Sequence, residues 1–226
     1  VQQSNKLLEK IESYLKKVDM NIYDVVRTWF YLNDLLTWYE DFNLVRNNYF
    51  TEKGIFKKLI PASTGIGAAN LKGSSLQCGG YALKGKKNLV QTEAIESPLQ
   101  CPAPDYKSSF SRAVETNHPG YRHLMVSGTA SITPEGETAH VGSIRKQIEL
   151  TMKVVNGILE SREMTWENIT RGIVYVKHKS DTKYFEMFCA ENELKKLPLS
   201  IIQSDICREE LLFEIEVDAV TIIKNN

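Results

Sequence analysis

The sequence predicts an α+β fold made of two similar lobes in tandem, each with helices packed on one face of a mixed β-sheet. The order helix, strand, helix, strand occurs twice along the 226 residues. The strand segments VVRTWFYL at 25–32 and ITRGIVYV at 169–176 align, and Arg171 stands 144 positions after Arg27. Agreement across four elements indicates an internal repeat rather than a chance likeness between two helices.

An amphipathic helix opens each copy. In residues 4–18 and 143–160, apolar side chains recur with helical spacing, and charged side chains stand on the opposite face. The apolar positions are Leu7, Leu8, Ile11, Leu15 and Val18 in the first segment and Ile144, Ile148, Met152, Val155 and Leu159 in the second. A further helical stretch follows each strand, at 34–50 and 181–194, and leads to a proline-marked strand entry.

The two copies differ at their beginnings. Residues 105–142 predict strands and a hairpin around the turn TPEGE, and nothing before residue 4 supplies a counterpart. We therefore expect a partial first lobe at 1–90 that lacks its N-terminal hairpin, a linker at 91–104 and a complete lobe at 105–226. A piece of a longer protein, with about 40 residues upstream, fits this difference, and a naturally truncated first lobe is the alternative.

Composition narrows the class of partner. Lys plus Arg equals Asp plus Glu at 28 each, so no net charge draws the chain toward a nucleic acid. No apolar run approaches the roughly 18 residues that cross a bilayer, so no membrane partner is expected. Four scattered cysteines without metal-ligand spacing predict reduced thiols, a cytoplasmic location and no metal site.

Several motifs of the second lobe resemble the YjgF/RidA family. They are FSRA, HLMVSGTASITPEGE, ENITRGIVYV and LLFEIEVDAV, in this order, and PAST of the first lobe resembles the family's P-A-R-S/T. The resemblance implies a chorismate-mutase-like α+β fold and, in many members, enamine or imine deamination. It also implies a small-molecule carboxylate substrate and a homo-oligomer, a trimer with clefts between subunits, or association with the missing N-terminal segment.

The deaminase expectation depends on the arginine of P-A-R-S/T, which grips a substrate carboxylate as a bidentate fork. Ser63 and Leu199 stand at that position in the two lobes. Arg208 lies nearby in DICREELLFEIE and is a candidate replacement. The older endoribonuclease label of the family fits poorly, because the chain is neutral and carries no basic stripe.

A branch with two fused lobes, the chorismatases, resembles the chain more closely. The segments are RTWFYLND, YEDFNLVR, PASTGIG, SSFSRA, VSGTASI and DICREELLFEIE. This resemblance implies hydrolysis of the enolpyruvyl ether of chorismate with release of pyruvate. Known members of the branch are longer. Arg27, Tyr31, Asn43 and Arg46 match its pattern, although a core tyrosine and surface helix charges explain them equally well.

Glu214 is the candidate catalytic acid. Strand alternation in FEIEV sends Glu214, Glu216 and Asp218 to one face, and enclosed carboxyl groups raise one another's pKa. A protonated carboxyl group can donate to the methylene carbon of an enol ether. The alternative is a solvated acidic face, which acids prefer in general.

The candidate substrate-binding residues surround this strand in the motifs. They are Arg112, Arg122, Ser127, Gly128, Thr129, His140, Cys207 and Arg208. The arginines would clamp carboxylates, and the small residues of SGT would present amides or a hydroxyl to an anion. Structural alternatives stay open for each: arginine stems packed along a sheet edge, a tight bend at SGT, a histidine at a helix entrance and a packed thiol.

Three functions therefore compete. The first is a chorismatase-like hydrolase that protonates an enolpyruvyl ether and needs no cofactor. The second is a RidA-like enamine or imine deaminase in which Arg208 replaces the family arginine. The third is a non-catalytic ligand-binding protein that kept the fold and lost the chemistry.

Overall fold

The computed structural model describes residues 2–86, 89–194 and 196–223. Residues 1, 87–88, 195 and 224–226 of the predicted lobes lie outside it. The helices are α1 (Gln2–Lys16), α2 (Leu35–Glu52), α3 (Ile144–Ser161) and α4 (Thr182–Glu191). The strands of the first lobe are β1 (Val25–Leu32), β2 (Ala62–Gly67) and β3 (Leu76–Ala82). Those that follow are β4 (Gln91–Ile95), β5 (Ala113–His118), β6 (Tyr121–Ala130), β7 (Ile169–Val176), β8 (Leu199–Gln203) and β9 (Phe213–Ile222).

The strands form two mixed sheets with matching topology. The first has the order β2-β1-β3, and the second has the order β4-β5-β6-β9-β7-β8. β1 runs parallel to β2 and antiparallel to β3. β7 likewise runs parallel to β8 and antiparallel to β9. The predicted α+β class with two lobes is confirmed.

Backbone irregularities also recur at the spacing of 144 residues. Asp19 and Glu163 both have positive φ, at 56° and 58°. Asn21 and Thr165 each form a capping box at the entrance of a short 3₁₀ helix. A shift in strand register then follows at the start of β1 and of β7. The two lobes therefore share local backbone geometry as well as strand order.

Each lobe buries its own apolar core between helices and sheet. In the second lobe, Ile148, Met152, Val155 and Leu159 of α3 are buried against β6, β7 and β9, as the helical spacing predicts. In the first lobe, Leu8 is buried, whereas Val18 follows the end of α1 and is exposed. Helix α1 therefore ends earlier than the apolar pattern suggested.

Two segments differ from the sequence expectation. Residues 91–95 of the predicted linker form strand β4, which pairs with β5 at the edge of the second sheet. Only Ile95 of that strand is buried, so its polar residues resembled a linker. Beyond the turn TPEGE, pairing is limited to one bridge between Ile132 and Thr138, rather than a full hairpin strand.

The faces of the two sheets that carry no helices meet each other. Val26 and Ala62 of the first lobe pack on Val114 and Met125 of the second. Polar groups cross the same junction. Arg27 Nη2 lies 2.8 Å from Glu216 Oε2, and both side chains are fully buried. The junction is therefore part apolar core and part buried ion pair.

Arg27→Met tests how strongly the lobes depend on this ion pair. Glu216 keeps Arg171 and Trp29 as donors in this variant, so its charge stays partly compensated, and we expect the free energy of unfolding to fall by about 2–3 kcal/mol, at or below the range for a fully uncompensated buried charge. Lys16→Met, which breaks the exposed Lys16–Glu12 pair, should cost less than about 1 kcal/mol. Urea unfolding measures both variants, and equal costs would contradict a buried pair at the junction.

Candidate active site

A cavity of about 210 Å³ lies where the two lobes meet. Helix α2 and strand β2 of the first lobe contribute one part of its wall, and β6, β9 and two loops of the second lobe contribute the rest. Among the residues that line it are Tyr39, Arg46 and Ser63 from the first lobe and Arg112, Gly128 and Glu214 from the second. Neither lobe alone supplies the whole site.

Strand β9 brings Glu214 to the cavity by simple alternation. Phe213, Ile215 and Val217 are fully buried in the core beneath α3 and α4. Glu214 and Glu216 point from the opposite face toward the first lobe, and Glu214 is 4% exposed. The enclosed acidic face is therefore correct, and the solvated alternative is wrong.

A bulge in β6 makes room for the Glu214 carboxyl group. The register of β6 on β9 shifts between Val126 and Thr129, which places Gly128 in the irregular segment. A Cβ atom at position 128 would overlap Glu214 Oε1. The Gly128 amide donates a hydrogen bond to Thr64 Oγ1 of β2, at 3.0 Å. Glycine here allows close approach of both the acid and the first lobe.

Glu214 is held as a neutral acid near physiological pH. The pKa of its carboxyl group is raised to about 8, first by burial and then by the negative charge of Glu216, while Arg27 opposes both. Among the residues that the structure describes, no side chain donates a hydrogen bond to this carboxyl group. A proton on Glu214 is therefore available to a ligand in the cavity.

Three arginines line the same cavity without a carboxylate partner within the described residues: Arg46, Arg112 and Arg208. Arg46 is 2% exposed, and its contacts are Asn43 Oδ1 at 2.8 Å and Ser63 Oγ at 3.4 Å. Burial lowers the pKa of the Arg46 guanidinium, but arginine stays charged in proteins. Buried cations without counter-ions are costly, so these side chains suit an anionic ligand.

The arginines of the second lobe are held by backbone and aromatic contacts. Arg112 donates to the Cys101 carbonyl oxygen through Nε at 2.9 Å and Nη2 at 2.7 Å. The Cζ atoms of Arg112 and Arg208 lie 5.4 and 5.6 Å from the centre of the Tyr106 ring. Burial raises the pKa of Tyr106 to about 12, so its hydroxyl group stays neutral. These contacts fix the cations without neutralising them.

Five of the sequence-predicted site residues line the cavity. They are Glu214, Arg112, Gly128, Cys207 and Arg208. Burial raises the pKa of the Cys207 thiol to about 12, which makes it a packed thiol rather than a nucleophile. Arg208 Nη1 donates to Thr138 Oγ1 at 3.3 Å, so its orientation is only lightly constrained.

Two further predicted residues stand behind the cavity wall. Ser127 Oγ accepts a hydrogen bond from the Ser63 amide at 2.9 Å and donates to the Ser111 carbonyl oxygen. Thr129 Oγ1 donates to the Ser127 carbonyl oxygen at 2.8 Å. Both hydroxyl groups are thus committed to the chain itself, and they hold the bulge against β2 rather than reaching a ligand.

Arg122 and His140 are not brought to the cavity. Arg122 lies near the other end of β6, where its Nη1 is 3.6 Å from Glu115 Oε2 and its Nη2 donates to the Arg162 carbonyl oxygen. His140 is exposed with φ of 57°, and its carbonyl oxygen accepts from the Ser143 amide at the entrance of α3. The structural alternative describes His140, a histidine at a helix entrance. Arg122 instead lies on β6, between β5 and β9 inside the second sheet, and pairs with Glu115.

Tyr39, Tyr106 and Arg46 also line the cavity and were not among the predicted site residues. Arg46 resembled a solvated helix charge, but its Cζ lies 5.5 Å from the Phe30 ring centre and 5.2 Å from that of Phe42. The signal available was the YEDFNLVR motif, which puts Arg46 one helical turn after Asn43 and Phe42. Tyr106 lies in a short 3₁₀ helix, which is too short to show a periodic pattern of apolar residues in the sequence.

The alignment of Ser63 with Leu199 holds in the strand registers. Thr28 of β1 pairs with Ser63, and Gly172 of β7 pairs with Leu199. Arg46 contacts the Ser63 hydroxyl, whereas Arg208 contacts Thr138. Of these two arginines, it is therefore Arg46 that contacts the residue at the family's arginine position.

The described residues hold no group of three or more potential metal ligands. Within the same residues, no helix has the length and apolar character of a membrane span.

Comparison with known proteins identifies the family. The family model described as Endoribonuclease L-PSP matches residues 1–77 and 101–221. The chain belongs to this family, as the YjgF/RidA-like motifs predicted.

Three curated proteins from Streptomyces are similar to this chain over most of its length. A chorismatase of Streptomyces rapamycinicus is 29% identical over 217 residues, which cover 85% of this chain and 63% of that protein. A chorismatase and a 3-hydroxybenzoate synthase of Streptomyces hygroscopicus are 28% and 26% identical over 85% of this chain, and the matches cover 60% and 62% of those proteins. The chain thus spans 60–63% of the length of these relatives.

A solved structure shows the same fold. The crystal structure of a chorismatase superposes with a TM-score of 0.78 at 23% identity, covering 96% of this chain and 70% of that chain. The similarity to chorismatases that the motifs predicted is therefore confirmed for the family and the fold.

Glu214→Gln tests the buried neutral acid through stability. The folded pKa is about 8 against an ordinary value of 4.5, so this contribution to stability is complete below about pH 4.5 and is lost as pH rises through about 8. Relative to Glu214→Gln, the wild type should therefore lose on the order of 4 kcal/mol between about pH 4.5 and pH 8. Urea unfolding across this range measures the difference, and a constant difference would contradict the raised pKa.

Gly128→Ala tests the contact between the bulge and the acid. Overpacking against the Glu214 carboxyl group should cost about 1–3 kcal/mol of stability, and less in a Glu214→Ala background, where the overlapping atoms are gone. Gly79→Ala is the control, because its Cβ would meet only Trp29, at 3.7 Å. Identical costs of Gly128→Ala in the two backgrounds would show that Glu214 does not occupy this space.

Proposed function

We propose that this protein is a chorismatase-like hydrolase, which cleaves the enolpyruvyl ether of chorismate and releases pyruvate. The observation that carries the proposal is a buried neutral carboxyl group, Glu214, in one cavity with three arginines that have no carboxylate partner among the described residues. The similarity to chorismatases, over 85% of this chain, supports the same reaction class.

The charges of the cavity match such a substrate. With Glu214 protonated, three arginines and Glu40 leave the lining with two net positive charges. Chorismate carries two carboxylates, and desolvated arginines bind carboxylates strongly because their donors form a planar fork. Arg46 from the first lobe and Arg112 from the second would each hold one carboxylate. The ligand would thus bridge the lobes.

In this reaction the enol ether is protonated first, and water attacks only afterwards. Glu214 gives its proton to the methylene carbon of the enol ether: its O–H bond breaks, a C–H bond forms, and an oxocarbenium ion results. Water attacks that cation, and the proton that the water loses returns to Glu214. In the hemiketal, the hydroxyl O–H bond then breaks as the ketone C=O forms, the C–O bond to the ring oxygen breaks, and that oxygen takes up the proton, giving pyruvate and the alcohol. Every step uses protons and water only, so no cofactor is required.

The direct test is release of pyruvate from chorismate, followed with lactate dehydrogenase. Glu214→Gln should lower turnover about 10²–10⁴-fold, the usual contribution of a general acid. Wild-type turnover should fall as pH rises through about 8, because the acid ionises there. Glu186→Gln, an exposed acid on α4, is the matched control and should keep full activity.

Three outcomes separate the competing functions. No pyruvate from intact protein at high concentration would contradict the proposal. Ammonia release from an added 2-imino acid, without action on chorismate, would instead favour the RidA-like deaminase. Saturable binding of chorismate without turnover would favour the non-catalytic ligand-binding protein.

A further inference from the structure

A second buried acid stands beside Glu214 on the same face of β9. Glu216 is fully buried, and its carboxylate accepts hydrogen bonds from three side chains. Arg27 Nη2 lies 2.8 Å from Oε2, and Arg171 Nη2 lies 2.5 Å from Oε1. Trp29 Nε1 lies 2.9 and 3.0 Å from the two oxygens. Each carboxylate oxygen is thus paired with one arginine and shares the indole donor.

The two acids therefore have opposite environments although they are two residues apart. All donors to Glu216 are N–H groups, and two of them belong to arginines, so both oxygens of this carboxylate act as acceptors only. Glu214 receives no such donor from the side chains that the structure describes. When two neighbouring carboxyl groups compete for one proton, the one without cationic donors keeps it.

We propose that Glu216 is a positioning residue, a fixed negative charge that one arginine from each lobe clamps and that keeps Glu214 in its proton-donating form. This inference rests on the proposed function for its catalytic meaning. Its physical content concerns only which of the two acids carries the proton.

The clamp is also linked to the position of Glu214. Arg27 Nη2 donates to Thr64 Oγ1 at 2.6 Å as well as to Glu216. Thr64 Oγ1 in turn accepts from the amide of Gly128, the residue against which the Glu214 carboxyl group rests. The contacts that fix the charge of Glu216 therefore also hold the bulge that borders Glu214.

Charged and titratable groups from every neighbouring element act on Glu214. Those that face it are Glu216 on β9, Arg27 on β1, Tyr175 on β7, Tyr39 and Arg46 on α2, and Tyr106, Arg112, Cys207 and Arg208 from the second lobe. The arginines favour ionised Glu214, and the tyrosines and Cys207 are neutral. Glu40 on α2 is a second acidic residue of the cavity lining. Glu216 is the buried acid whose negative charge raises the pKa of Glu214.

The size of the effect follows from the strand geometry. Residues two apart on a strand are separated by about 7 Å. One unit charge at that distance, in the effective dielectric of a partly buried site, shifts a titration by about 1–2 pH units.

The experiment follows the titration of Glu214 directly. Protein labelled with ¹³C at glutamate carboxyl carbons is titrated by NMR, with the Glu214 signal assigned by its absence in Glu214→Gln. Glu216→Gln should move the Glu214 midpoint down by at least about one pH unit. Arg171→Gln, which removes a partly exposed cation and leaves Glu216 paired with Arg27, should move it up by a smaller amount.

Shifts of the Glu214 midpoint in opposite directions distinguish an electrostatic role of Glu216 from a purely structural one. If the clamp only held the structure together, both variants would loosen it, admit water and move the midpoint down. A downward shift in Arg171→Gln, or an unchanged midpoint in folded Glu216→Gln, overturns the proposal. If Glu216→Gln does not fold, the sign of the Arg171→Gln shift decides alone.

The pH profile of pyruvate release is the second readout. Its alkaline limb should move with the NMR midpoint in each variant. NMR shifts of the expected signs without any pyruvate release would remove the proposed function and leave the charge assignment intact. If Glu216→Gln releases pyruvate and the alkaline limb of its pH profile does not move, the proposed function stands and the charge assignment of Glu216 fails.

Discussion

The buried contact of Arg27 with Glu216 is the interaction on which the rest of the site depends. It joins the two sheets through a charge pair that water does not reach, and such a pair is stable only when its geometry is well satisfied. Arg171 and Trp29 complete that geometry. With Glu216 fixed as the charged acid, burial leaves the proton on its neighbour Glu214, and the cavity receives a neutral donor among cations.

Two lobes of one topology do not give two equivalent sites. In the second lobe Tyr175 pairs with Glu214, whereas in the first lobe the matching Tyr31 pairs with Gln77. An amide cannot donate a proton as a general acid. The first lobe instead contributes Arg46 to the cavity that the second lobe's acid faces, and Thr64 to the contact that holds the Gly128 bulge. One lobe supplies the acid, and the other supplies a cation and the support behind it.

Much of the fold was accessible from sequence, because period and order are local properties. Alternation in FEIEV correctly enclosed Glu214, and the helix spacing correctly buried the face of α3 that includes Ile148. The failures have a common cause. For Arg46 the sequence left a chorismatase-pattern residue and a surface helix charge open, and it favoured Arg122 as a clamp. Neither could be decided, because burial of an arginine depends on which distant rings and carbonyl groups surround it. Strand β4 looked like a linker because its pairing to β5 buries little apolar surface.

The central claim is that Glu214 is a neutral acid inside a cationic cavity, and infrared spectroscopy tests it most directly. The difference spectrum between wild type and Glu214→Gln at neutral pH should contain the carbonyl stretch of a protonated carboxylic acid. That band should disappear on titration through about pH 8. A carboxylate band in its place at neutral pH would contradict the account.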